Sequence, residues 1–368
     1  MGEVINYKCP NCTAPLKFSG ASQKWDCAFC ESSFTLADLK QFYQDHPIPE
    51  EQPIEWQPYG VDSGSGAWTA EEAAKIQIYS CPSCGGEIFC AAETAATFCP
   101  YCHNTVVLHR QVSGEFRPDL IIPFQTTREQ AKNAYRELCR GKRLLPKDFL
   151  SASTIEKLVG MYVPFWVFDC AVDAELTFHG EQISTWRTGA YQHTKTEYYL
   201  VRRGGQLHFS MVPVDGSSKL NDALMDSIEP FRYEEVVPFH PAYLSGFLAD
   251  KYDQTAADVG TRAESRVRST TEEVFRNTVS GYATCRLTDS RINIQNHSVR
   301  YLLLPVWVLN TAYQGKEYTF AMNGQTGRMV GDLPISKKRI WGWFLGLTAG
   351  ISAFLFLGNL VLLGLGVL

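Results

Sequence analysis

Cys81-Pro82-Ser83-Cys84 and Cys99-Pro100-Tyr101-Cys102, separated by fourteen residues, decide how the N-terminal third of this chain folds. Two residues between thiolates let one tight knuckle present both sulfurs to a single ion. Two knuckles at the ends of a short hairpin then complete a tetrahedral four-cysteine site. Cys9-Pro10-Asn11-Cys12 and Cys27-Ala28-Phe29-Cys30 repeat the unit with the same spacing. The expected ligands are therefore Cys9, Cys12, Cys27, Cys30, Cys81, Cys84, Cys99 and Cys102, holding two structural zinc ions. Four thiolates leave no open coordination position, so such sites are expected to hold structure rather than carry out chemistry. Gly85 and Gly86 suit a turn that needs positive φ after the third knuckle, whereas Thr13 follows the first. Cys99-x-x-Cys102-His103 also fits a haem-attachment pattern, but the matched upstream pair argues for metal.

Outward from the knuckles, composition sets limits. The chain has 368 residues, a formal net charge of −5 and twelve cysteines. That length implies more than one domain. The acidic balance suits a nucleic-acid coat poorly, since such proteins carry a basic face. No secretory signal is read at Met1–Tyr7. The cysteines outside the pairs, Cys90, Cys139, Cys170 and Cys285, read as small buried hydrophobes. No phosphate loop, H-E-x-x-H or G-x-S-x-G motif occurs. The histidines are scattered without carboxylate partners at a useful spacing. The expectation is a protein that is not an enzyme.

The other end is set by Trp341–Leu368, a stretch without one charged side chain. As a helix at about 1.5 Å per residue it exceeds the ~30 Å hydrocarbon core of a bilayer, so one transmembrane span fits and two do not. Lys337, Lys338 and Arg339 precede it and nothing basic follows. Basic flanks stay on the cytoplasmic side, which puts the bulk of the chain there as a single-pass protein of the cell membrane. Trp341 and Trp343 stand where interfacial anchors belong. Gly342, Gly346 and Gly350 line one helix face, a small-residue pattern that admits self-association.

Between these ends the expected order is zinc ribbon 1 with a short helix (1–44), an acidic Pro/Gly linker (45–68), zinc ribbon 2 (69–112), an α+β domain (113–336), and the basic flank with its transmembrane helix (337–368). Thr35-x-x-Asp38, Thr69-x-x-Glu72 and Thr126-x-x-Glu129 have the spacing of helix N-terminal caps. Ser153-x-x-Glu156 reads as the start of another helix closed by Gly160. Val172–Phe178 and Leu207–Met211 alternate as strands, with a hairpin turn expected at Arg203-Gly204-Gly205. Asn323–Gly327 is a second turn. Val237-Pro238-Phe239 echoes Ile122-Pro123-Phe124, and the segment at Pro305 echoes that at Pro164, a weak internal duplication. Trp166 and Trp307 read as core. Arg262, Arg266, Arg268 and Arg276 read as a helix face paired with Glu264, Glu272 and Glu273.

The tandem C-P-x-C ribbons, the P-x-W strands, the run Pro305–Pro334 and the C-terminal apolar segment resemble bacterial membrane-anchored double zinc-ribbon proteins over nearly the whole chain. That family is often labelled TFIIB-type zinc ribbon or primosomal-helicase-like, although no helicase motif stands here. Its members occur beside phage-shock-type and flotillin-like membrane proteins. The resemblance implies an adaptor that recruits membrane-associated proteins in envelope stress, with the eight paired cysteines as ligands and no catalytic residue. The fold class expected is α+β: two N-terminal four-cysteine zinc ribbons, a weakly duplicated antiparallel α+β domain and one C-terminal transmembrane helix. The competing functional readings are a membrane-tethered ribbon that binds nucleic acid and a membrane-tethered enzyme.

Overall fold

A computed structural model of the chain describes residues 9–11, 16–19, 22–27, 30–45, 56–58, 68–91, 99–102, 104, 108–111, 117–146, 149 and 151–364. Cys12, Phe29, His103, most of the 45–68 linker and positions 365–368 lie outside those residues.

The chain opens with a small antiparallel sheet, β1 (Leu16–Ser19), β2 (Lys24–Cys27) and β3 (Ser33–Phe34), followed by α1 (Leu36–Asp45). Thr35 and Asp38 cap α1 reciprocally, the Asp38 N–H donating to the Thr35 hydroxyl at 3.2 Å and the Thr35 N–H to the Asp38 carboxylate at 2.9 Å. After β4 (Gln57–Pro58) comes a single turn, α2 (Ala70–Ala73), which starts on a complete capping box of Thr69 and Glu72. Strands β5 (Ile76–Ser80), β6 (Glu87–Ala91), β7 (Leu108–Gln111) and β8 (Leu120–Ile121) follow.

Helix α3 (Arg128–Cys139) starts one residue later than the cap spacing indicated. Thr127 is its cap, and Gln130 rather than Glu129 completes the box. Thr126 is engaged elsewhere: its hydroxyl donates to the Gly324 carbonyl at 2.8 Å and accepts from Trp307 Nε1 at 2.9 Å. Helix α4 (Ala152–Ile155) is one turn only, because the chain is already extended at Val159. The Val- and aromatic-rich run from Val159 to Phe168 favours strand, and Gly160 lies inside β9 (Val159–Thr188) rather than closing a helix. Then come β10 (Tyr191–Asp215), α5 (Asp222–Ile228), β11 (Val237–Pro238), β12 (Leu248–Asp250), α6 (Ala256–Asn277), β13 (Thr284–Tyr313), β14 (Lys316–Asn323), β15 (Met329–Gly331) and α7 (Lys337–Gly364). The turn from β14 to β15 falls at Asn323–Gly327, as expected.

The β9–β10 hairpin does not turn at Arg203-Gly204-Gly205. It turns at Gly189, whose φ of +60° is a left-handed conformation, and β10 runs straight through Gly204 and Gly205. A Cβ on Gly204 would lie 3.4 Å from the Ala174 carbonyl oxygen and one on Gly205 3.6 Å from Phe275, both ordinary contacts.

The chain divides into two compact units. The first comprises Met1–Tyr59, Val167–Val214 and Ala256–Val299. Its core sets Val267 and Phe275 of α6 against Leu176 and Phe178 of β9 and Ile292 and Ile294 of β13. At the edge of this core Arg268 Nε meets Glu264 at 2.8 Å, and the same guanidinium donates to the Ile292 carbonyl at 3.2 Å. Residues 56–58 of the linker are anchored here. Trp56 packs edge-on to Phe168 with ring centroids 4.7 Å apart, and Gln57 and Pro58 pair in parallel with Ser298 and Val299.

The second unit comprises Gly60–Trp166, Asp215–Thr255 and Arg300–Leu368. Its sheet has the order β11-β8-β13-β9-β12-β6-β5-β7, with β14 on β13 and β15 on β14. The sheet is mixed rather than antiparallel throughout: β8 lies parallel to β13, and β12 parallel to β9. Both parallel pairs join segments far apart in sequence, the long connection that parallel pairing demands. The two Pro-Phe segments that echo each other are neighbours here, Val237 opposite Ile121. Tyr135 of α3, Phe149 and Phe320 of β14 are fully buried in the core, which also takes Trp307. Trp166 is buried too, its Nε1 donating to the Gln254 carbonyl at 2.9 Å.

The position of the hairpin turn predicts opposite outcomes for two alanines. Gly189→Ala should cost roughly 1–2 kcal/mol, because a Cβ is strained at left-handed φ. Gly205→Ala should be neutral or stabilising, because an ordinary contact replaces a glycine inside a strand. Denaturant unfolding of the full chain in detergent checks the pair; a reversed order would move the turn back to 203–205.

Candidate metal centres

In the second cluster Cys81, Cys84, Cys99 and Cys102 present sulfurs that all lie within 4.8 Å of one another. Cys81 Sγ is 3.5 Å from Cys102 Sγ, and Cys84 Sγ is 3.5 Å from Cys99 Sγ. A tetrahedron with metal–sulfur bonds of about 2.3 Å has edges of roughly 3.8 Å, so the donor set fits a thiolate-bound ion. Among the described residues no disulfide forms.

The backbone explains how the sulfurs converge. Strands β5 and β6 pair from Ile76 opposite Ala91 to Ser80 opposite Glu87, which brings the chain to Cys81 and back. At the knuckle the Cys81 N–H donates to the Gly86 carbonyl at 2.9 Å, and the Gly85 N–H donates to the Cys81 carbonyl at 2.9 Å. Gly85 has φ of +69°, as its position requires. Gly86 is needed for space: a Cβ there would stand 2.9 Å from the Tyr101 ring. Tyr101 is therefore packed inward, its hydroxyl out of solvent, and is not an exposed aromatic beside the knuckle. The second unit also grips both knuckles. Lys219 Nζ donates to the Cys84 carbonyl at 3.0 Å, and Asn310 Nδ2 to the Pro100 carbonyl at 2.8 Å.

Electrostatics fit a cation. Burial raises the cost of a thiolate at Cys81, but N–H groups of Cys84 and Ser83 aimed at the sulfur outweigh it and bring the thiol down to about 7. Burial pushes Cys84 and Cys99 upward. Ionising all four sulfurs together thus requires a compensating positive charge.

The first cluster brings together Cys9, Cys27 and Cys30, with Cys9 Sγ 3.5 Å from Cys30 Sγ. The fourth expected ligand, Cys12, lies outside the described residues. The knuckle geometry recurs: the Cys27 N–H donates to the Ser32 carbonyl at 2.8 Å, and the Glu31 N–H to the Cys27 carbonyl at 3.1 Å. Glu31, at φ of +58°, takes the conformation that Gly85 takes in the other cluster. One cross-knuckle bond was invisible in the sequence. Asn11 Nδ2 donates to Ser32 Oγ at 2.9 Å, and Asn104 Nδ2 donates to Ser83 Oγ at 2.7 Å. Positions 11 and 83 correspond between the repeats, as do 32 and 104, so the amide and hydroxyl have exchanged places while the bond is kept. Both clusters could hold a metal ion.

The remaining thiols behave as packing. Burial pushes Cys90 up to about 12 and Cys170 up to about 11, leaving both thiols protonated and unreactive. Asp250 of β12 is a buried acid that the sequence reading missed. Loss of water raises its carboxyl to about 7, and Ser217 and Tyr101 are the polar groups that face it. Its signal, an Asp ending a short apolar strand, is too common to single out.

Helix α7 is the other candidate element. It is long and apolar enough to cross a membrane, and every side chain from Trp341 to Phe356 is exposed. Gly342, Gly346 and Gly350 have nothing within 4 Å of where a Cβ would stand.

Compared with known proteins, the chain is 33% identical to "Uncharacterized protein YdjG" of Bacillus subtilis (strain 168) over 361 residues, which are 98% of this chain and 99% of that one. No family model matches the chain, and no solved structure does.

The exchanged Asn–Ser pair is testable. Asn104→Ala should weaken metal binding several-fold, less than the ~10–100-fold of direct partners of metal ligands, because the bond is exposed and joins residues beside the ligands. The double exchange Ser83→Asn with Asn104→Ser reproduces the first cluster and should restore binding. Competition against a chromophoric chelator reads both. Equal loss in the two variants would show that the bond plays no part.

Proposed function

This chain belongs to the family of Bacillus subtilis YdjG, and on that premise we propose that it is a single-pass membrane adaptor rather than an enzyme. The observation that carries the proposal is α7, whose exposed apolar surface finds no cover among the described residues. Lys337, Lys338 and Arg339 at its start put residues 1–336 on the cytoplasmic side of the cell membrane. The ions are zinc, one per cluster, with Cys12 completing the first. The closed four-sulfur set supports a structural role, and the ribbons, of the TFIIB type, serve as rigid platforms for membrane-associated proteins of the envelope-stress class. The duplication of the α+β body belongs to the same proposal, supported by the pairing of β8 with β11. Self-association through Gly342, Gly346 and Gly350 is compatible with the open face there.

The second reading, a membrane-tethered ribbon that binds nucleic acid, is disfavoured by charge. Affinity for phosphates rests on a basic surface, and the chain carries −5 overall. Around the first ribbon, Lys17, Lys24 and Lys40 are balanced by Asp26, Glu31 and Asp38.

Two experiments separate the readings. With the full chain in intact cells, a membrane-impermeant thiol reagent should label a cysteine appended after Leu368 and miss one placed at position 57; the reverse pattern overturns the orientation. Crosslinking from membranes should capture a protein partner with the wild-type chain and lose it with Cys81→Ser/Cys84→Ser. Tight oligonucleotide binding that falls steeply with salt, without ribbon-dependent protein capture, would overturn the adaptor.

A further inference from the structure

A groove lies where α7 meets the loop after α3, with basic and apolar residues side by side. It has a volume of about 560 Å³ and is lined by Arg143, Lys338, Arg339 and Trp343, with Gly342 and Gly346 along its floor. The loop is fixed to the helix. The Ser336 N–H donates to the Leu144 carbonyl at 2.9 Å, and the Arg339 guanidinium donates to the carbonyls of Arg143 and Leu145. This places the Arg143 guanidinium over the Trp343 ring, 5.0 Å from its centroid. Among the described residues neither Arg143 nor Lys338 is paired with a carboxylate. Three basic residues thus line one groove of a chain that is acidic overall.

We propose that this groove binds the headgroup phosphate of an anionic phospholipid. The inference rests on the membrane reading of α7, which sets the groove at headgroup depth. Arg143 and Lys338 supply the charge, and the Arg fork can hold two phosphate oxygens at once. Arg339 positions the loop. Trp343 marks the interface, where its ring is stabilised. Gly342 and Gly346 leave a furrow for the first methylenes of an acyl chain, since nothing lies within 4 Å of a Cβ at either. Each basic residue near an anionic bilayer surface is worth about 1 kcal/mol, roughly a fivefold preference.

The test uses the full chain in neutral detergent, titrated with equal amounts of phosphatidylglycerol and phosphatidylcholine and read by native mass spectrometry. The expected result is preferential retention of phosphatidylglycerol, by more than roughly tenfold for two cations. The preference should shrink as ionic strength rises, survive in Arg143→Lys, and fall to near parity in Arg143→Gln/Lys338→Gln. Equal retention of the two lipids, or an undiminished preference in the double variant, overturns the site. So does a chain dimer that excludes lipid and is broken by Gly342→Leu, which assigns the furrow to a second copy. Flotation with pure phosphatidylcholine vesicles tells the two failures apart. A chain that floats without preferring phosphatidylglycerol keeps its anchor and loses the headgroup site. A chain that does not float loses the anchor and the site with it.

Discussion

Four sulfurs held within 4.8 Å of one another are the constraint on which the second unit depends. As thiols they would leave the N–H groups aimed at Cys81 poorly used. As bare thiolates they would repel at close range in a site where burial already opposes charge at Cys84 and Cys99. A divalent cation resolves both difficulties, and its binding energy becomes folding energy for the hairpin that carries the knuckles. That hairpin is part of the unit's sheet: β6 pairs with β12, β5 with β7, and Lys251 meets Glu87 at 2.6 Å. The ion would thus stabilise the sheet edge as well as the knuckles.

The first cluster is built the same way on a smaller base. Among the described residues its small core is Cys9 and Cys27, with Leu16 and Phe34 packed against them. A sheet of that size is marginal on its own. Greater dependence on the ion follows for the first cluster than for the second, whose knuckles are also held by Lys219 and Asn310. At the far end, α7 presents the opposite surface chemistry. Its apolar side chains are exposed, and near its start they give way to the cations and to the loop carbonyls that Arg339 grips.

Local chemistry was legible in the sequence wherever one residue's role was set by near neighbours. The knuckle spacing, the caps at Thr35 and Thr69, the Asn323–Gly327 turn and the Glu264–Arg268 pair of α6 all belong to that class. What failed was decided by distant partners. Thr126 has a cap's spacing, but Trp307 and Gly324 claim its hydroxyl, so Thr127 caps α3. Gly204 and Gly205 look like a turn, yet they sit inside β10, which pairs with β9 across the turn at Gly189. The parallel pairings of β8 with β13 and β12 with β9 join segments that no local pattern connects. The Asn–Ser bridge emerged only from the folded knuckles, because its two residues exchange places between the repeats.

Everything proposed for the knuckles turns on the ions. X-ray absorption at the zinc edge, on the full chain purified without added metal, measures the shell around them. About four sulfurs at ~2.3 Å and two zinc ions per chain are expected. A shell containing nitrogen or oxygen, a different metal, or sulfurs found only as disulfides would contradict that expectation.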